Sequence, residues 1–229
     1  MEVAIYVSHV DDDILGVGGL IPQMIEAGHD VHIVYVTDGL LHPPKDIDNR
    51  PKAKRAAKIL GVDEMNVHFL GFPNQRFDES PLIELNKQFE NLDIKPDLII
   101  TNAKTDVNQD HRMVFESAMI VGRSIDSQTR IMTCEILSSS EWNDVEFEPN
   151  FYVDISETIE LKIQAMSEID TEIEEWPHPR SEKGIRTKAQ QRGMEVGMDY
   201  AEAYRIVRWF DWSERLSASV TALAQGESE

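Results

Sequence analysis

The chain has 229 residues, enough for one large α/β domain with a substantial core. Its 42 acidic residues outnumber its 22 basic residues, and the net charge of −20 repels phosphate groups, so nucleic acids and anionic membranes are not expected as partners. A single cysteine, Cys134, excludes an intramolecular disulfide framework. No apolar run approaches the length of a membrane span and no leader precedes the first strand, which predicts a soluble, cytoplasmic protein without a membrane anchor.

The first predicted strand, residues 3–7, stops at one histidine and three acids in the run Ser8-His9-Val10-Asp11-Asp12-Asp13. Adjacent carboxylates repel one another unless a cation lies among them. Glycines precede a predicted helix at 20–27, so the acids are expected in a strand-to-helix turn, where open α/β folds bind ligands. His9 and Asp12 offer the nitrogen and oxygen donors that suit Zn²⁺, and the acid between them is left free to act as a base.

The remaining elements alternate along the chain. Strands are predicted at 31–36, 66–70, 96–101, 130–137 and 151–154, and helices at 50–60, 81–92, 156–173 and 181–196, with another helix that begins at His111. This alternation predicts an α/β fold, Rossmann-like and doubly wound, with a mostly parallel sheet in the order 3-2-1-4-5 and helices on both faces. We expect a single domain over 1–212 and a tail at 213–229 that is a short helix or disordered.

The polar stretch 105–112 contains the best candidate for a third metal ligand. It follows the apolar run 98–100 and therefore lies at the end of the fourth strand. In the predicted strand order the first and fourth strands are neighbours across the switch point, so His111 is expected to meet His9 and Asp12 there. Asp110 has two compatible roles open to it: it can cap the following helix and it can accept a hydrogen bond from a ligand imidazole.

Four other polar residues are singled out by their positions. Asp38 follows the second strand and either belongs to the site or caps its own loop, and His42 is expected to be an exposed loop residue. Arg50 stands at a helix start, where a cation is disfavoured, so its placement there invites another explanation. His178 lies between two prolines that restrict its backbone, and both a loop role and a role in the site stay open.

Three separated motifs resemble the PIG-L/LmbE-like family of zinc-dependent de-N-acetylases. They are Ser8 to Asp13, where the family usually has Ala-His-Pro-Asp-Asp-Glu, then Asp110-His111, and then Pro177 to Ser181. The likeness runs from the first residues to about Trp209.

The resemblance implies a zinc site and a reaction. Zn²⁺ would be held by His9, Asp12 and His111, with Asp11 as the general base. The substrate would be a small N-acetylated amino sugar, expected here as a soluble saccharide or nucleotide-sugar-like compound. A homo-oligomer is a further expectation, because some relatives assemble into oligomers.

The resemblance also implies substrate contacts. Arg50 and Asp38 occupy positions that it favours for the site, and His178 would donate to the developing oxyanion. Asn74 stands where the family usually has an acid, and Asn108 where many relatives have a histidine. Neither amide can act as a base, although both can hydrogen-bond a substrate, and Asn108 is the second choice for the oxyanion donor.

Alternatives of other classes stay open at this stage. One is a zinc amidase acting on a non-sugar amide, and another is a non-catalytic, metal-containing sugar-binding protein. A phosphate-binding domain built on Gly16, Gly18 and Gly19 is disfavoured, because the glycine spacing lacks the full fingerprint and the preceding acids would face the phosphates.

Overall fold

The structure is a computed structural model that describes residues 1–41, 46–123 and 128–210. The predictions for His42 and for the tail at 213–229 fall outside the described residues. Within those ranges, no helix combines the length and the apolar character needed to cross a membrane.

The helices and strands follow the predicted alternation. The strands are β1 Glu2–Val7, β2 Asp30–Thr37, β3 Leu40–Leu41, β4 Ile47–Asp48, β5 Val67–Phe72, β6 Leu98–Asn102, β7 Arg130–Cys134, β8 Phe151–Asp154 and β9 Ala201–Arg208. The α-helices are α1 Asp12–Val17, α2 Leu20–Glu26, α3 Arg50–Ile59, α4 Leu82–Asn91, α5 Gln109–Val121, α6 Ile159–Glu168 and α7 Glu182–Val196.

The main sheet has the strand order β5-β2-β1-β6-β7-β9-β8. Its first five strands pair in parallel and correspond to the predicted order 3-2-1-4-5, so the α/β fold class is confirmed. The sheet is wider than predicted, because β9 pairs antiparallel with both β7 and β8.

The sequence prediction did not include β9. The first half of β9 is buried and its second half alternates between exposed and half-buried positions. Its eight residues therefore show neither a continuous apolar run nor a regular alternation, the two patterns that predict a strand. Glu202, a charged residue in the buried half, further hides the apolar signal. The strand predicted at 130–137 was too long, because β7 ends at Cys134.

Alternation along β1 separates the two larger clusters of the apolar core. Val3, Ile5 and Val7 lie in the cluster that includes buried residues of α1, α2, α3 and α6. Ala4 and Tyr6 lie in the other, with buried residues of α4 and α5. Because both faces of β1 are covered by helices, the strand is a continuous apolar run rather than an alternating one.

The pairing of β1 with β6 positions the motifs found in the sequence. Tyr6 is opposite Thr101, so the segments that follow the two strands emerge side by side at the same edge of the sheet. One carries His9 and the acids, and the other leads to α5. This edge is where ligands bind in open α/β sheets.

Candidate active site

The first motif begins a short helix. Asp11 is the N-cap of α1, and Asp12 is the first helical residue. The backbone N–H of Leu15 donates to the carbonyl oxygen of Asp11 at 2.9 Å, which closes the first turn. Of the three acids expected in a strand-to-helix turn, Asp11 lies there, whereas Asp12 and Asp13 already belong to the helix. Acids at the first turn of a helix are favoured by the backbone dipole.

The second motif begins α5. This helix starts at Gln109, and Asn108 is its N-cap, with Oδ1 accepting from the backbone N–H of Asp110 at 3.0 Å. Of the two roles left open for Asp110, helix capping is therefore wrong, because Asn108 occupies the cap. His111 lies in the first turn of the helix, 2 % exposed.

His9, Asp12 and His111 come together in a compact triangle of donor atoms. Nδ1 of His9 lies 3.2 Å from Nε2 of His111, and Oδ2 of Asp12 lies 3.3 Å from the same Nε2. The third edge, between Nδ1 of His9 and Oδ2 of Asp12, is 3.6 Å. A tetrahedral zinc ion with ligand bonds of about 2.0–2.2 Å requires edges of roughly 3.3–3.6 Å. The three residues therefore fit the donor set and spacing of a zinc site.

Each histidine has a carboxylate on its other ring nitrogen. Nε2 of His9 lies 3.2 Å from Oδ2 of Asp110, and Nδ1 of His111 lies 3.1 Å from Oδ2 of Asp106. Such acceptors fix the tautomer and leave the opposite nitrogen free for a metal. Asp110 thus takes the second role predicted for it, beside His9. Asp106 was missed, although its place in the polar stretch after the fourth strand was an available signal.

Asp106 is fully buried in a set of hydrogen-bond donors. It accepts from the hydroxyl groups of Ser139 and Ser140 and from the backbone N–H of Asn108. Burial alone would raise the pKa of Asp106, but hydrogen bonds and the charge of His111 hold it below its ordinary value. In the metal-free protein, burial opposes protonation of His111, yet Asp12 and Asp106 raise its pKa to about 9. A metal ion would displace that proton.

Asp12 is oriented by the neighbouring strand. Its Oδ2 accepts from the side-chain N–H of Asn102 at 3.2 Å and from the backbone N–H of His9 at 3.0 Å. Asn102 is itself held through Oδ1, which accepts from the backbone N–H and the hydroxyl of Ser8 at 3.0 and 3.1 Å. The ligand geometry is thus fixed by β1 and β6 together.

Asp11 faces the cleft beside the triangle and is 5 % exposed. Its Oδ2 lies 3.2 Å from Nη1 of Arg180, and the same nitrogen donates to Oε2 of Glu172 at 2.8 Å. Burial and the charge of Asp12 raise the pKa of Asp11, whereas Arg180 and His9 act in the opposite direction. Arg180 was not singled out from the sequence, although it belongs to the third motif.

The three adjacent acids avoid mutual repulsion in three different ways. Asp11 is paired with Arg180, and Asp12 is held by Asn102 at the metal triangle. Asp13 is fully buried, and in the metal-free protein burial, together with the charges of Asp11 and Asp12, raises its pKa to about 8 against the opposing effect of Tyr35. The neutral form of Asp13 is therefore favoured in that state.

A cleft of about 570 Å³ opens in front of the triangle. One part of its wall is apolar and another is made of side-chain amides. The apolar residues are Val10, Leu40, Leu41, Ile136 and Leu137, and the amides are Asn49, Asn74, Gln75 and Asn108. Such a volume and mixture suit a small polar molecule with an apolar face.

The predicted substrate residues divide into two groups. Asn74 and Asn108 line the cleft with the metal triangle, whereas Asp38, Arg50 and His178 are not among its lining residues. Arg50 pairs with Asp48, its Nη2 donating to Oδ2 at 2.8 Å. Asp38 accepts from the backbone N–H of Leu40 at 2.9 Å.

His178 lies close to the cleft rather than in its wall. Its Nδ1 accepts from the backbone N–H of Arg180 at 3.2 Å. Its ring meets that of Trp142 edge-on, with centroids 6.1 Å apart. The imidazole is thus held by a loop contact and an aromatic contact, next to the arginine that reaches Asp11.

Comparison with known protein families gives a match over residues 4–121 to the model described as PIG-L, GlcNAc-PI de-N-acetylase. A diacetylchitobiose deacetylase from Thermococcus kodakarensis is 26 % identical over 221 residues, which cover 87 % of this chain and 80 % of the relative. The matched family segment contains most of β1 and all of α1, β6 and α5, and so includes the complete donor triangle.

Solved structures show the same fold with different activities. The N,N'-diacetylchitobiose deacetylase from Pyrococcus horikoshii superimposes with a TM-score of 0.71 at 21 % identity, covering 90 % of this chain and 83 % of the other. GalB from Pseudomonas putida, a 4-carboxy-2-hydroxymuconate hydratase, gives 0.68 at 20 % identity, covering 93 % and 99 %. The fold alone therefore does not decide the reaction.

Proposed function

Since the chain belongs to the PIG-L family of GlcNAc-PI de-N-acetylases, we propose that it is a zinc-dependent hydrolase that removes the acetyl group from an N-acetylated amino sugar. The observation that carries the proposal is the donor triangle of His9, Asp12 and His111 with the carboxylate of Asp11 facing the same cleft. A metal site with one spare carboxylate is what hydrolysis of an amide by water requires.

His9, Asp12 and His111 would hold the metal. When bound, Zn²⁺ supplies Lewis acidity toward the amide carbonyl and lowers the pKa of water. Asp106 and Asp110 keep the two imidazoles turned so that Nε2 of His111 and Nδ1 of His9 face the site.

Asp11 moves the protons of the reaction. As the water oxygen bonds to the carbonyl carbon, the Asp11 carboxylate accepts the water proton. When the C–N bond breaks, the same carboxyl group gives a proton to the leaving amine, and acetate is released. Arg180, 3.2 Å away, holds one oxygen of Asp11 and so limits the orientations of the base.

The carbonyl oxygen gains negative charge during the attack and needs a donor. Asn108 lines the cleft together with His111, and its Oδ1 is occupied by the helix cap. Its side-chain N–H group donates to no other residue in the described part of the chain and can therefore donate to the oxyanion. His178 does not line the cleft. We therefore assign the donor to Asn108 and reverse the preference for His178 drawn from the sequence. A donor of this kind contributes about 3–4 kcal/mol to lowering a barrier.

The charges around the cleft favour a neutral substrate. Of the described residues that line it, Arg180 alone carries a permanent positive charge, and that charge is shared between Asp11 and Glu172. Apart from the metal, a phosphorylated sugar would meet carboxylates and no unpaired basic side chain among these residues. Neutral saccharides such as N-acetylglucosamine and its oligomers are therefore proposed over sugar phosphates.

Release of free amine tests the proposal. Purified protein is incubated with N-acetylglucosamine, N,N'-diacetylchitobiose and N-acetylglucosamine 6-phosphate, before chelation, after chelation and after zinc is restored. We expect amine and acetate in equal amounts from a neutral sugar, loss of both on chelation and recovery with zinc. Zinc-loaded protein that releases no amine from these sugars would contradict the proposal.

A further inference from the structure

Asn49 is a fully buried side chain in the wall of the cleft. It occupies the N-cap position of α3, yet its side chain makes no capping hydrogen bond. Asparagine at this position normally accepts from the helix backbone. Here its Oδ1 accepts instead from the hydroxyl of Thr171 at 3.1 Å.

The contacts of Asn49 leave one group unused. Its backbone N–H donates to the carbonyl of Gly39 at 2.9 Å, and its backbone carbonyl accepts from Ala53 at 2.9 Å. Its side-chain nitrogen, Nδ2, is buried and has no hydrogen-bond partner within the described ranges. Buried amide N–H groups are rarely left unpaired, because each has lost its hydrogen bonds to water.

A second unpaired atom belongs to the same cleft. Oδ1 of Asn74 is buried without a hydrogen-bond partner in the described part of the chain, and Asn74 lines the cleft with Asn49. The lining of the cleft therefore includes an unused donor and an unused acceptor, both uncharged. A sugar hydroxyl complements such a pair, because it accepts through its oxygen and donates through its hydrogen.

We infer that Asn49 is a specificity-determining residue whose Nδ2 group donates to a hydroxyl of a neutral amino sugar, with Thr171 fixing the orientation of the amide. The inference rests on the proposed function and adds a residue that binds the sugar ring rather than the acetamide. Its ligand is a ring hydroxyl, so the effect of Asn49 depends on which hydroxyl groups the substrate carries.

The test measures coupling between a side chain and a hydroxyl. Binding of N-acetylglucosamine and its 3-, 4- and 6-deoxy analogues is measured by calorimetry on zinc-loaded Asp11→Asn protein, alone and combined with Asn49→Ala. We expect Asn49→Ala to weaken binding of the parent sugar about 3- to 10-fold, as for one neutral hydrogen bond. While Asn49 is present, one deoxy analogue should bind more weakly than the parent sugar by a similar factor. Once Asn49→Ala is introduced, that analogue and the parent sugar should bind equally well.

Two further variants separate binding from folding. Thr171→Val leaves Asn49 in place but removes the hydroxyl that orients it. It should weaken binding of the parent sugar by a smaller factor than Asn49→Ala does. Asn86→Ala is the matched control, because Asn86 is also buried but accepts from Ser117 at 2.6 Å away from the cleft. It should leave sugar affinity unchanged even if it lowers the melting temperature.

The outcomes distinguish this inference from the proposed function. If Asn49→Ala and the deoxy analogues act additively, or if Asn49→Ala changes affinity by less than about 2-fold, the inference is overturned even when the wild-type protein deacetylates the sugar. If the coupling is found but wild-type protein releases no amine, the hydroxyl contact stands and the proposed reaction fails. If zinc-loaded protein binds none of these sugars, both are overturned.

Discussion

Oδ2 of Asp106 lies 3.1 Å from Nδ1 of His111 and points the opposite ring nitrogen at the donor triangle. Asp106 is fixed in turn by Ser139 and Ser140, which reach it from the segment after β7. The orientation of one metal ligand thus depends on residues distant in sequence, since Ser139 follows Asp106 by 33 residues. Loss of this acceptor should act directly on metal binding and should act on the reaction only through the weaker metal binding.

We predict that Asp106→Asn lowers zinc affinity about 10- to 100-fold, because the amide holds the His111 ring less firmly and no longer offers it a carboxylate. The measurement is competition with a zinc chelator of known affinity. Asp93→Asn, at an exposed position, is the control for loss of one negative charge. Equal affinities for both variants and the wild type would refute the role given to Asp106.

Asp11→Asn should retain zinc and lose turnover. The amide keeps the shape of the side chain but cannot accept the water proton, so kcat should fall about 10²- to 10⁴-fold. Metal content is measured on the same preparation as kcat, by elemental analysis. Near-normal turnover at full zinc occupancy would show that another group is the base.

Arg180→Met should weaken catalysis in a pH-dependent way. Removing the guanidinium leaves the Asp11 carboxylate without its cation, and a nearby cation lowers the pKa of an acid. The pKa of Asp11 should therefore rise, and the rising limb of the kcat/KM profile should move to higher pH. At neutral pH we expect kcat/KM to fall roughly tenfold, which corresponds to the lower end of the energy range for a hydrogen bond to a charged group.

Arg180→Lys and Arg186→Met are the controls for that experiment. The lysine keeps the charge and should give a smaller shift in the profile. Arg186, on α7, pairs with the exposed Glu160 away from the residues that line the cleft, and its loss should leave the profile in place. A profile that shifts equally in Arg180→Met and Arg186→Met, and not in Arg180→Lys, would mean that net charge, rather than contact with Asp11, is responsible.

The sequence predicts the parts of this site that local chemistry defines. His9 and Asp12 stand one turn apart after a strand, and the strand order brings His111 to them, so motif spacing and topology suffice. Arg180 and Asp11 are separated by 169 residues, and Asn49 and Thr171 by 122. Periodicity shows which face a residue occupies but not which distant residue it will contact, and these partners were missed for that reason.

The glycines that follow the first motif show the same limit. Their number suggested a phosphate-binding loop as an alternative. At two positions, however, the structure shows that close packing explains why the residue is glycine. A Cβ atom at Gly16 would lie 2.5 Å from Sγ of Cys134, and one at Gly19 would lie 2.5 Å from Cγ2 of Ile155. These glycines allow α1 and the start of α2 to approach the sheet and the segment before α6 closely.

Lys162 and Glu202 form a buried ion pair behind α1, and breaking it should destabilise the fold. Nζ of Lys162 donates to Oε1 of Glu202 at 2.7 Å and to the carbonyl of Leu15 at 2.8 Å. Lys162→Met leaves the Glu202 carboxylate buried without a cation, at a cost of about 3–5 kcal/mol in the free energy of unfolding. Denaturant unfolding measures it.

An exposed ion pair provides the comparison for Lys162→Met. Lys87 and Glu84 are 2.9 Å apart on the surface of α4, and Lys87→Met should cost less than about 1 kcal/mol. If both variants lose equal stability, burial does not govern the contribution of Lys162 to the free energy of unfolding.

The contact with Leu15 predicts, in addition, that Lys162→Met weakens zinc binding, because α1 carries Asp12.

Gly16→Ala should destabilise the protein through one identifiable contact. The new methyl group would lie 2.5 Å from Sγ and 3.0 Å from Cβ of Cys134, which is fully buried, so the core must shift at a cost of about 1–3 kcal/mol. Cys134→Ala removes the sulfur and leaves the Cβ atom, so it should relieve part of that cost. In a double-mutant cycle measured by denaturant unfolding, the double variant should therefore be more stable than the sum of the two single changes predicts, by about 0.5 kcal/mol or more. Additive effects would mean that the methyl group is accommodated by movement of α1 rather than by displacement of Cys134. Zinc affinity should then fall in the Gly16→Ala variant, because α1 carries Asp12.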